Sequence, residues 1–154
     1  DAQLVFVEED DAEWGKVRHY RRIDTLDMLR NAKTISEGMY AAGKQFQDDF
    51  LRAYRPGYAR PRMDGLPSGT TMVETIPERH TGAARAVRDA LEAVGGIGSP
   101  AGSALWHVAG LGLSIREWVV RAQWSGGYVL TAHTAAGALL AGLSMLCRHY
   151  GMRP

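Results

Sequence analysis

Cysteine occurs once in these 154 residues, at Cys147. A lone thiol excludes an internal disulfide and any zinc site built on cysteines, and it fits a reducing compartment, the cytoplasm. Histidine occurs five times, without a metal-binding pattern. His19, His80, His107, His133 and His149 lack the spacing that sets two imidazoles and an acid on one helical face. His133, on an apolar stretch, reads as a hydrogen-bonded core residue. There is no low-complexity tract and apolar content is ordinary, which excludes a wholly disordered chain.

Nothing points to an enzyme. Gly95-Gly96-Ile97-Gly98-Ser99 lacks a preceding strand and a P-loop lysine, so it reads as a linker between helices rather than a phosphate loop. Asp48 and Asp49 are adjacent on a helix and splay to different sides, unlike a converging acid–base pair. The chain is read as non-enzymatic, with no cofactor and no metal. It opens on Asp1, with no signal peptide before it. The expectation is a trimmed chain or the C-terminal part of a longer protein.

The net charge of +1 hides an asymmetry. Asp1, Glu8, Glu9, Asp10, Asp11 and Glu13 crowd the start, leaving eighteen basic against eleven acidic residues from Trp14 onward. A basic body behind an acidic tail is compatible with nucleic-acid binding, with the tail competing for the same surface. Residues 1–22 are read as an acidic, then basic, N-terminal arm. Leu4–Val7 is a strand or extended segment, Glu8–Asp11 a turn or linker, and Lys16–Arg22 a phosphate-contacting strip or a solvated linker.

The rest, 23–154, reads as one all-α domain. Asp24 or Thr25 caps a short helix to Asn31 that carries Leu26 and Leu29 inward. Ser36 caps a longer helix to Tyr54, with Met39, Tyr40, Gly43, Phe46 and Phe50 as its apolar stripe. The Pro- and Gly-rich segment 55–77 is irregular. With Arg55, Arg60 and Arg62 beside Tyr54 and Tyr58, it is either an arm along a phosphate backbone or a plain surface loop. Helices are predicted over 78–94, ended by Gly95-Gly96, and from Ser99-Pro100 onward with Leu105, Val108, Ala109 and Leu111 inward.

Ser114 followed by Glu117 is a capping box. It opens a short helix with Ile115, Trp118, Val119 and Ala122 on one face, and Ser125 is placed to cap the next helix, from about Gly127 to Arg148. Short capped helix, tight turn and longer helix form a helix-turn-helix layout. The long helix carries no charge from Tyr128 to Cys147, yet it is only weakly hydrophobic, so a buried or oligomeric helix is preferred to a membrane span. Gly137 with Ala141, or Ala138 with Gly142, offers a small-residue surface for close helix contact.

Three stretches together resemble an alphaproteobacterial helix-turn-helix domain of unknown function, itself similar to the C-terminal DNA-reading domain of sigma factors. They are Ala42-Gly43 with Gln45-Phe46 and Asp49-Phe50, Leu113-Ser114 with Glu117 and Trp124-Ser125, and Leu146-Cys147-Arg148-His149-Tyr150-Gly151. The resemblance implies an all-α, DNA-associated regulator. Arg55, Arg60, Arg62, Arg116 and Arg121 would then meet phosphates, and Ser125, Tyr128 and Thr131 would touch bases. The sequence departs from that pattern where bases are read. No Arg, Lys, Asn or Gln lies between Ser125 and Cys147. Two expectations therefore stand. One is a DNA-binding transcriptional regulator. The other is a degenerate helix-turn-helix that docks on RNA polymerase or another regulatory protein, or pairs with a second copy through Gly137 and Ala141.

Overall fold

The computed structural model describes residues 4–11, 15–54, 76–124 and 131–154, with side chains for 23–54, 81–122 and 131–154. From residue 23 on, the described chain is all-α. The elements are α1 (Thr25–Asn31), α2 (Glu37–Tyr54), α3 (Ile76–Ala93), α4 (Pro100–Ala104) running into a π-helical turn (Leu105–Gly110), α5 (Ile115–Trp124) and α6 (Ala132–His149).

Ahead of the helices stands an antiparallel hairpin of β1 (Leu4–Asp11) and β2 (Gly15–Arg22). This corrects the reading of Glu8–Asp11 as a turn and of Lys16–Arg22 as a free strip. The register pairs Glu8 with Arg18 and Asp10 with Lys16. Opposite charges at facing ladder positions favour pairing, and Val5, Phe6, Val7, Val17 and Tyr20 are good strand formers.

The helix boundaries follow local chemistry. The Asp24 carboxylate accepts from the Leu26 N–H at 3.0 Å and starts α1. Ser36 Oγ accepts from the Met39 N–H at 3.1 Å at the head of α2. Helix α3 starts at Ile76, two residues earlier than expected, and takes in Pro77. A first-turn residue has no intrahelical N–H bond to lose, so proline is tolerated there. Its end is a Schellman turn, with Gly96 N–H on the Leu91 carbonyl at 2.7 Å and Gly95 N–H on that of Glu92 at 3.1 Å. Gly95 has φ +101°, which glycine adopts without strain.

Helix α2 lies at the centre, packed against α3, α6, the π-helical turn and α1. Its Phe46 is fully buried with Leu26, Leu105, Trp118, Leu139 and Leu143. Gly43 lets α6 and α1 approach, since a Cβ there would lie 3.0 Å from both Leu143 Cδ2 and Leu26 Cδ1. The π-helical turn is fixed by a Leu111 N–H bond to the Trp106 carbonyl, five residues back, at 2.9 Å. Gly110 sits under the Phe50 ring, and Gln47 Nε2 donates to the Ala109 carbonyl at 3.2 Å. Leu111, expected inward, is 46% exposed beyond that wide turn. No described helix is long and apolar enough to cross a membrane.

Candidate functional site

The capping box of α5 forms as its residue types require. The Ser114 N–H donates to Glu117 Oε2 at 2.7 Å and the Glu117 N–H to Ser114 Oγ at 3.2 Å. Trp118 and Ala122 are buried, and Trp118 Nε1–H donates to Ser103 Oγ at 3.1 Å, tying α5 to α4. Arg116, Val120 and Arg121 lie on the solvent side of α5.

Helix α6 begins later than the sequence suggests. Its N-cap is Thr131, in extended conformation, whose Oγ1 accepts from the Thr134 N–H at 3.2 Å. Ser125 is therefore not the cap of this helix. Gly126 and Gly127 are poor helix formers, and Thr131 is the first capping side chain after them.

Of the residues expected to meet nucleic acid, Arg116, Arg121 and Thr131 are exposed. Arg55, Arg60, Arg62, Ser125 and Tyr128 lie outside the described residues. On α6, Gly137 and Ala141 are exposed while Gly142 is buried against the Ala101 carbonyl and Leu105. The outer face of α6 thus runs through His133, Thr134, Gly137, Ala141 and Met145. His133, expected in the core, is exposed. The hydroxyls of Thr131 and Thr134 lie 2.9 Å apart and bond to each other.

A second feature has no counterpart in the sequence pattern. Between the end of α2, the outer face of α3 and the π-helical turn lies an open cleft of about 800 Å³, with Tyr54, Trp106, Leu91, Ile97, Arg85 and Arg88 among its walls. Phe50, Tyr54 and Trp106 form an aromatic cluster, with ring centroids 4.8–5.3 Å apart. Trp106 is the second residue of the π-helical turn. Tyr54 is 48% and Ile97 50% exposed, high for such large apolar surfaces. Among the described residues, the ion pair of Arg88 is a marginal 4.0 Å contact with Asp89. In the sequence, Arg85, Arg88 and Glu92 lie on the face of this helix opposite Ala84, Val87, Leu91 and Val94, and Trp106 belongs to no apolar stripe, so neither announces a cleft.

Among the described residues no group of three His, Cys, Asp or Glu side chains is placed to hold a metal ion. Comparison with protein-family models, with curated proteins and with solved structures gave no match.

Proposed function

We propose that this chain is a helical docking module of a cytoplasmic regulatory protein, in which the α5–α6 corner meets a protein partner rather than the edges of bases. The observation that carries this reading is the outer face of α6. Thr131, His133, Thr134, Gly137 and Ala141 are exposed there, and none offers the bidentate donor–acceptor pair that major-groove reading depends on. The two threonine hydroxyls are already engaged with each other and with the helix cap. A smooth, weakly polar helix face suits close packing against another helix, on RNA polymerase, on another regulator or on a second copy of this chain.

A second reading keeps DNA as the partner, and the exposed Arg116 and Arg121 on α5 favour it, along with the motifs read in the sequence as resembling sigma-factor DNA-reading domains. In that case contacts go mainly to phosphates, and affinity must fall steeply with salt through counterion release. A titration of duplex DNA across a salt series separates the two. Docking predicts weak, shallow binding unchanged in an Arg116→Ala/Arg121→Ala variant. Steep salt dependence that flattens in that variant would replace docking by backbone-directed DNA binding.

A further inference from the structure

The cleft beside α3 is a surface apart from the α5–α6 corner, with a chemistry of its own. One wall is aromatic and apolar: Tyr54 and Trp106 pack edge to face at 5.3 Å, and Leu91 and Ile97 extend the floor. The other wall is a helix face bearing Arg85 and Arg88, one turn apart and both exposed. Glu92 follows a turn later, so charge changes sign along the cleft. At a rise of ~1.5 Å per residue, the arginine end and the glutamate end are roughly 10 Å apart. That length matches a turn or two of peptide.

Two features set this cleft apart from an ordinary surface dent. Its aromatic surface packs on the Phe50 ring, which reduces the side-chain freedom left to lose when a ligand arrives. Trp106 also belongs to a π-helical turn, a local distortion that recurs at functional sites.

We infer that this cleft binds an acidic peptide segment of a partner protein, seating one large apolar side chain against Tyr54 and Trp106 and carboxylates against Arg85 and Arg88. Arginine forks match carboxylates in geometry, and aromatic–arginine surfaces concentrate binding energy in a few residues. Glu92 at the far end sets the direction of the peptide, because it repels carboxylates there.

The test uses fluorescence anisotropy with the full chain and two labelled peptides. One has a leucine–phenylalanine anchor followed by glutamates, and the other has the same anchor followed by lysines. The glutamate peptide is expected to bind and to weaken as salt rises. The R85E/R88E variant should lose about tenfold in affinity for it and gain affinity for the lysine peptide. Both arginines are exposed, so the variant should keep its circular dichroism and melting temperature. If it does not, R85Q and R88Q, taken singly, replace it and should each weaken binding. Equal binding of the two peptides, binding of neither, or loss without the reciprocal gain would overturn the assignment. So would a single-stranded oligonucleotide that binds more tightly than the glutamate peptide and is released by the same substitutions.

Discussion

Asp24 serves two elements at once. Its carboxylate caps α1, and it also receives Lys44 Nζ at 2.6 Å and Gln47 Nε2 at 2.9 Å from α2. Burial by itself would raise its pKa, but the hydrogen bonds from Lys44, Gln47 and the Leu26 N–H, with the Lys44 charge, outweigh burial and hold it below the usual carboxylate value. A carboxylate depressed in the folded state stabilises fully above its unfolded pKa of about 3.9, and that stabilisation is lost as pH falls through the lower folded value. Asp24→Asn should therefore cost about 1–2 kcal/mol at neutral pH and flatten the acid limb of stability, as urea melts across a pH series would record. Asp49 works in the other direction, because burial lifts its pKa and its charge disfavours the fold above that value. Near it lies the Tyr150 hydroxyl, which is buried and meets no hydrogen-bond partner among the described residues. An orphaned hydroxyl is costly, so Tyr150→Phe should leave stability unchanged or raise it by about 1 kcal/mol, measured as the urea midpoint.

At the scale of elements, two glycines of α6 separate its faces. A Cβ on Gly137 would meet nothing within 4 Å, whereas one on Gly142 would lie 3.1 Å from both the Ala101 carbonyl oxygen and Leu105 Cγ. Gly137→Ala should stabilise the helix by roughly 0.5–1 kcal/mol through lower backbone entropy in the unfolded chain. Gly142→Ala should destabilise through overpacking by about 1–3 kcal/mol. Opposite shifts in melting temperature for the pair would confirm which small-residue surface is used within the fold and which faces outward. The capping box can be tested in the same way. Ser114→Ala removes the acceptor for the Glu117 N–H and should cost about 0.5–2 kcal/mol, read from thermal melts.

For the whole molecule, charge placement matters more than net charge. The helical part, over its residues with described side chains, carries ten basic and eight acidic groups, while β2 alone holds Lys16, Arg18, Arg21 and Arg22 with no acid. The register sets the acids of β1 along that basic strand. Arg18 and Lys16 each have an acid opposite them in the ladder, Glu8 and Asp10, whereas Arg21 and Arg22 face Val5 and Leu4. Replacing Glu8, Glu9, Asp10 and Asp11 by their amides should raise non-specific duplex DNA affinity and steepen its salt dependence, by up to ~0.9 in slope for each additional phosphate neutralised. An unchanged slope would mean that the acidic strand does not mask the basic one.

The sequence by itself determined the helical plan. The caps at Asp24, Ser36, Ser99 and Ser114, the Gly95-Gly96 stop and the stripe through Gly43, Phe46 and Phe50 are local signals, set by hydrogen bonds and periodicity within a turn or two, and they form as read. Tertiary structure decided what depends on neighbours distant in the chain. The N-cap of α6 is not among these: Thr131 replaces Ser125 for a local reason, since Gly126 and Gly127 between them disfavour helix. The acidic and basic ends of the N-terminal arm became paired strands through a register that no single strand encodes. The cleft needed Tyr54, Arg88 and Trp106, which three separate elements bring together. No periodicity along one helix reports such a meeting, since each side chain taken alone reads as a solvated flank or a stray aromatic.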